Sequence, residues 1–295
     1  MCFLAQVSRA SYYRWLAGES PVEEDMAVRD AIQEIALQHR RRYGYRRICV
    51  ELRARGMIVN KKRVQRLMQQ DNLLAIGRRN FILTTDSKHS WKVYLNLAAR
   101  MELTGIDQLW VADITYIRLR SEFVYLAVVM DRFSRRVVGW ALDRTLAARL
   151  PVAALQQAID TRKPGPGLIH HSDRGIQYSS REYADLLEQH RMEPSMSRPA
   201  NPWDNAACES FMSTLKKEEV YCNQYKDLED LLAHLDEFIG NYYNRLRRHS
   251  ALDYQSPEEF EKALLASGGQ SIGAAKVEYF HNPEQSVAAT EAIVK

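Results

Sequence analysis

Cysteine is scarce in this 295-residue chain, with only Cys2, Cys49, Cys208 and Cys222 and no two of them in a CxxC pair. That excludes a disulfide scaffold and favours a reducing, cytoplasmic setting. Long hydrophobic runs are missing as well: there is no 18-residue apolar stretch and no signal-peptide pattern at the N-terminus. Neither a membrane span nor secretion is therefore expected.

Acidic residues are thin at one end of the chain. Met1–Asn80 holds 16 Lys and Arg against 8 Asp and Glu, a net +8, although the whole chain carries only +4. Between His39 and Arg66 there are 11 basic residues and a single acid, Glu51. Such a density suits phosphate neutralisation with counterion release, and equally suits a solvated helical face.

The remainder carries an unusual set of acids. Asp113 lies inside the apolar run Leu109 to Ile117, Asp173 follows it by 60 positions, and Glu209 follows Asp173 after 35 intervening residues. An apolar strand of that kind is covered on both faces, and a lone carboxylate within it costs several kcal/mol or more. Asp173 closes the strand-like GLIHHSD ahead of a turn, and Glu209 falls about one turn into a helix that follows NPWDN, with Asp204 or Asn205 as the N-cap. Three carboxylates brought together repel one another and favour a shared proton or a bound cation. Oxygen-only ligation completed by water and phosphate suits Mg²⁺, whereas zinc prefers Cys and His. Two such ions can assist an in-line phosphoryl displacement without a side-chain nucleophile.

The blocks WVADITY, VVMDRFSRRVVGW, HHSDRGIQY, NPWDNAACESFMSTLKKE, YYNRLRRHSAL and SPEEF stand in that order. Together they resemble the DDE transposases of bacterial insertion sequences, in the group with a retroviral-integrase-like core. The resemblance spans residues 28 to 262 or so, and the 35-residue interval is the spacing typical of that group. It implies an RNase H-like fold in which Asp113, Asp173 and Glu209 are the catalytic acids and the ligands of two Mg²⁺ or Mn²⁺ ions. It also implies terminal-repeat DNA and target DNA as partners, an oligomer on paired ends, and transposition through a circular intermediate. Retroviral integrases also carry a zinc module of paired His and paired Cys. No such arrangement exists among the cysteines and His39, His89, His170 or His171, so no zinc and no organic cofactor are expected.

Five segments are expected: a helix-turn-helix remnant (1–20), a helix-turn-helix DNA-binding domain (26–77), a linker (78–105), the α/β catalytic domain (106–265) and a tail with little pattern (266–295). AQVSRASYYRWL resembles the end of another helix-turn-helix unit, and the family resemblance implies that an upstream reading-frame product, fused or bound to this one, supplies the start; the other reading is an N-terminal aromatic helix that packs on the next domain. In the second segment the spacing of Val28, Ile32, Ile35 and Ala36 predicts a helix over 26–42. A helix over 46–55 then places Ile48 and Leu52 inward, and after a turn begun by Gly56, Asn60 caps a helix over 61–71 with Val64, Leu67 and Met68 on its core side. Arg46, Arg47, Lys61, Lys62, Arg63 and Arg66 are the expected DNA contacts of this unit.

In the catalytic domain the pattern predicts strands over 108–119, 123–131, 135–142, 167–171 and 193–197, and helices over 149–162, 180–190, 205–219 and 228–245. That order makes a mixed sheet flanked by helices. Lys216, two helical turns after Glu209, is expected to hold a DNA phosphate. Asp131 reads as a turn or salt-bridge residue, and His170 and His171 as locally satisfied. Tyr242 and Tyr243, ahead of Arg245, Arg247, Arg248 and His249, read as core or as DNA contacts. Two other functions fit part of this pattern: an inactive DNA-binding regulator, and an RNase H-like nuclease that cuts without joining.

Overall fold

The computed structural model describes residues 23–73, 94–120, 122–198 and 205–267. The remnant at 1–20, most of the linker, Asp204 and nearly all of the tail lie outside them. The chain divides into two compact units, Met1–Ile82 and Leu83–Lys295.

In the first unit the apolar spacing produces α1 (Glu23–Gln38), α2 (Tyr45–Ala54) and α3 (Lys61–Gln70). Ile32, Ile35, Ile48, Leu52, Val64, Leu67 and Met68 are fully buried. Gly56 takes a φ of +81° in the turn after α2, a conformation open to glycine at little cost. The Asn60 side chain then accepts the Lys62 N–H at 2.8 Å and starts α3. α1 is shorter than its periodicity predicts. Arg40 and Arg41 turn left-handed, and His39 stacks on Tyr43 at 3.8 Å, so the chain folds back before residue 42. Buried Asp25 is paired with Arg63 at 2.7 Å, and Arg29 bonds Asp71 and Gln70, which ties α1 to α3.

The second unit is built on β1 (Leu109–Arg118), β2 (Phe123–Asp131), β3 (Val137–Asp143), β4 (Ile169–Ser172) and β5 (Glu193–Met196), in the order β3-β2-β1-β4-β5. The first three strands are antiparallel, and β4 joins β1 and β5 in parallel. Trp110, Ala112, Val129 and Val138 form a core with Ala154, Leu155 and Ala158 of α4 (Arg149–Arg162) and with Tyr183 and Leu187 of α5 (Arg181–Gln189). Val111, Thr115 and Ile117, of the alternate parity on β1, are buried too, so both faces are covered.

The two long helices expected next are each interrupted. α6 (Ala206–Leu215) continues as a π-helical segment, Lys216–Val220, and α7 (Leu228–Asp236) as another, Glu237–Leu246. In the first of these the adjacent Glu218 and Glu219 both turn inward, to Arg247 at 2.7 Å and to His234 at 3.0 Å. A last helix, α8 (Pro257–Ala266), was not among the expected elements. Its signal is local and clear: Ser256 and Glu259 form a reciprocal capping box, with Pro257 in the first turn.

Candidate active site

Parallel pairing places the first two acids. β1 and β4 run in register with Val111 opposite His171, and two residues further along each chain come Asp113 and Asp173. The two acids therefore occupy matching positions on neighbouring chains, where the strand spacing is about 4.8 Å. β4 ends at Ser172, so Asp173 leaves the sheet at once, and its Oδ1 accepts the Gly175 N–H at 2.9 Å. A Cβ on residue 175 would lie 2.9 Å from that same oxygen, so glycine is what lets the loop close on the acid.

The third acid arrives on α6. Glu209 is exposed in the first turn of this helix, whose start is fastened to β1 by Asn205. Asn205 does not cap the helix with its side chain, contrary to the expected role. Its amide instead donates to the Ala112 carbonyl at 3.0 Å, next to Asp113, because the helix begins against β1 and a buried amide there must bond the strand.

The electrostatics of the three differ from those of ordinary surface acids. Packing away from water, then the charges of Asp173 and Glu209, raise the Asp113 carboxyl to about 7; the Ile114 N–H and Lys216 oppose this only in part. Loss of water raises Glu209 as well. Lys216 is half-buried, its ammonium shifted down by desolvation and partly restored by Asp113. The Tyr178 hydroxyl is buried with no hydrogen-bond partner among the described residues, and burial together with Asp173 holds its pKa well above the usual value. The Oδ1 of Asn205 is a second orphaned buried oxygen. Nothing in IQYSS marks Tyr178 beforehand, and the sequence marks Asn205 only as a cap, because the surroundings of both side chains depend on chain segments distant in sequence.

An all-oxygen donor set with an uncompensated carboxyl fits a hard divalent cation. Among the described residues, however, no three His, Cys, Asp or Glu side chains form a set that could hold a metal ion by themselves.

The other expected residues are placed as follows. Lys61, Lys62 and Arg46 are exposed, Arg66 is 57% exposed beside Asp25, and Arg47 lies over the Tyr43 ring at 5.4 Å. Arg63 is bound to Asp25, which gives it a part in holding the first unit together. Lys216 belongs to the second unit, beside the acids. His170 bonds the Tyr183 hydroxyl at 2.9 Å and burial depresses it to about 3, while His171 lies between Ser195 and Ser197 at 2.8 and 3.0 Å. Tyr242 and Tyr243 are core. Arg245, Arg247 and Arg248 are engaged by Glu258, Glu218 and Glu259.

A mixed sheet of this order, flanked by helices, is an RNase H-like core. The comparisons identify which. Residues 104–202 and 190–257 match the integrase core domain family, and residues 23–81 match an HTH-like domain. The chain is 36% identical over 265 residues to the 31 kDa protein of insertion element IS600 of Shigella sonnei, covering 89% of this chain and 97% of that one. It is 37% identical to the transposase of insertion sequence IS904 of Lactococcus lactis (79% and 92% covered) and 35% identical to the transposase InsF of IS3A of Escherichia coli (90% and 94% covered). The catalytic core of HTLV-2 integrase, solved with magnesium, is similar at a TM-score of 0.41 and 16% identity, over 53% of this chain and 97% of that one. The chain belongs to the transposases of bacterial insertion sequences, enzymes with an integrase core and an HTH-like DNA-binding domain.

Proposed function

We propose that Asp113, Asp173 and Glu209 are the catalytic acids of this transposase, and that they hold two Mg²⁺ or Mn²⁺ ions. One observation carries the reading: the parallel register of β1 and β4 sets Asp113 beside Asp173, and burial, then the Asp173 charge, raises the Asp113 carboxyl to about 7. When bound, the ions would supply activation of the attacking oxygen and charge stabilisation of the leaving oxygen. Asp113 and Asp173 form the fixed part of the site, and exposed Glu209 closes onto them when DNA and cation are present. Asn205 sets where that helix starts, and Lys216 holds a phosphate beside the acids.

Lys61, Lys62, Arg66, Arg46 and Arg47, with Arg63 in a supporting place, neutralise phosphates of the terminal repeat. The reaction has two phosphoryl transfers. Water breaks a phosphodiester at the element end and frees a 3′ hydroxyl, which then attacks a target phosphodiester and expels another 3′ hydroxyl. Paired ends require at least two copies on DNA, with the upstream reading-frame product as a further partner. The protein works in the cytoplasm, on the nucleoid. Glu209→Gln is expected to abolish cleavage and strand transfer on terminal-repeat duplexes while binding, followed by mobility shift, stays within twofold. Strand transfer at the wild-type rate would refute the assignment, and cleavage without joining by the wild type would favour a nuclease.

A further inference from the structure

The far half of β1 holds an arrangement that the acids do not use. Pairing with β4 covers Leu109, Trp110 and Val111 only, so Asp113 to Arg118 run on past that neighbour. On this stretch Tyr116 meets Phe123 of β2 edge-on, ring centroids 5.8 Å apart. Phe123 is 50% exposed, although it is a large apolar residue on a strand end directly opposite Arg118. Two cations attend the pair: Lys216 Nζ lies 5.0 Å from the Tyr116 centroid, and the Arg118 guanidinium lies 5.8 Å from the Phe123 centroid. Among the described residues neither cation forms an ion pair, so both rest on aromatic rings and keep their charge available.

A half-exposed ring packed edge-on against a second, partly buried one, with two cations that form no ion pair among the described residues, is the chemistry that takes a nucleobase on the ring and its phosphates on the cations. The position is consistent with that. Tyr116 stands three residues beyond Asp113, about 10 Å along the strand, and the odd spacing turns the two side chains to opposite faces of β1. Lys216 spans them, its Nζ over the Tyr116 ring and its charge acting on Asp113, at an edge of β1 that β4 leaves open. One DNA strand advances about 3.4 Å per nucleotide in a duplex, so a strand that crosses this open edge from Asp113 reaches the rings within about three nucleotides. The simpler alternative, a cross-strand hydrophobic pair, accounts for Tyr116 but not for the half-exposed Phe123.

We infer that Tyr116 and Phe123, with Arg118 and Lys216 at their sides, form a stacking platform for a DNA base within about three nucleotides of the phosphate that the acids attack. This rests on the catalytic reading proposed above, and the test separates the two.

Abasic residues are placed singly at each of the three nucleotides on either side of the cleaved phosphate, in a duplex carrying the terminal repeat that flanks the gene. Wild type, Phe123→Ala and Phe123→Trp are assayed on each. At one position the abasic duplex should slow wild-type cleavage about tenfold, Phe123→Ala should slow cleavage of the intact duplex by the same factor, and the two changes together should slow it no further. Phe123→Trp should restore the rate on intact DNA. Strictly multiplicative effects at every position would overturn the inference. A second readout does not need catalysis: 2-aminopurine at the responsive nucleotide, or at each of the six in turn, should be quenched when the wild type or Glu209→Gln binds, and not when Phe123→Ala binds. Equal quenching by all three proteins overturns the platform even if the catalytic assignment stands. Quenching that depends on Phe123 supports the platform even if that assignment fails.

Discussion

Two acids, Asp113 and Asp131, share the hairpin of β1 and β2, and they are treated in opposite ways. Asp131, opposite Trp110, is enclosed by donors: the Asp107 N–H at 2.6 Å, the Ser134 N–H at 2.8 Å and the Ser134 hydroxyl at 3.2 Å. The same hydroxyl reaches Glu261 of α8 at 2.7 Å, and Glu261 takes Arg136 at 2.7 Å and Arg162 at 2.9 and 3.0 Å. Burial still pushes Asp131 up to about 6, whereas the arginines and Ser134 hold Glu261 below its usual value. Asp113, three residues from Trp110 on the same strand, accepts one backbone N–H and otherwise faces Asp173 and Glu209. Asp131 belongs to a closed network that joins α8 and α4 to the sheet. Asp113 lacks such donors, and under the reading proposed above a divalent cation would supply the opposing charge. A buried acid with its donors in place serves the fold, and one left among other acids is available for chemistry.

The strongest way to break this contrast is Asp113→Asn. It should remove strand transfer altogether and yet raise stability. In the folded wild type the Asp113 pKa is raised from 3.8 to about 7, so between those values the native state holds a proton that the unfolded chain has released. Stability therefore falls as pH rises through that window, by up to about 4 kcal/mol, reduced to about 2 kcal/mol for a carboxyl still partly open to solvent. Thermal unfolding in chelator should show Asp113→Asn more stable than wild type at pH 8, with the gain gone by pH 4. Equal melting at pH 8 would mean that the acid carries no such load.

The opposite result is expected on the other side of the hairpin. Glu261→Ala leaves Arg162 and Arg136 without their common partner and should cost about 3 kcal/mol in urea unfolding at pH 7. Because the Glu261 pKa is lowered in the folded state, its contribution is present above about 4.5 and is lost as pH falls through the native value. The deficit should therefore shrink in acid.

Divalent cations sharpen the comparison further. Mg²⁺ well above its dissociation constant should stabilise the wild type by about 1 to 3 kcal/mol at pH 8 and leave Asp113→Asn nearly unchanged, as read by calorimetry. A Mg²⁺ response retained in that variant would place the cation elsewhere. The smallest effect belongs to the first unit, where Asn60→Ala removes the cap of α3 and should cost about 1 kcal/mol in that unit's own transition.

Much of the architecture was legible beforehand because its signals are local. Near-continuous apolar runs mark β1 to β3 within two residues of their ends, and the three- and four-residue spacing marks α1 to α3. α8 is equally local in its capping box, although it is not among the expected elements. The π-helical segments had no local signal. The first lies where Glu218 and Glu219 both face inward, and their partners Arg247 and His234 lie 29 and 15 residues away. Asn205 was misread for a related reason, because an Asn ahead of a helix has the same sequence pattern whether it caps that helix or bonds a strand 93 residues earlier.

By itself the sequence determined which acids are present, their spacing, the concentration of positive charge in the first 80 residues and the type of nearly every element. These follow from side-chain chemistry and short-range periodicity. Tertiary structure alone decided that Asp113 and Asp173 stand at matching positions, that Asp131 is enclosed while Asp113 is not, and that Lys216 and Arg118 rest on the rings of Tyr116 and Phe123. Each of these depends on strand register and on contacts between distant segments, and a one-residue slip in register would turn the same acids to the other face of the sheet.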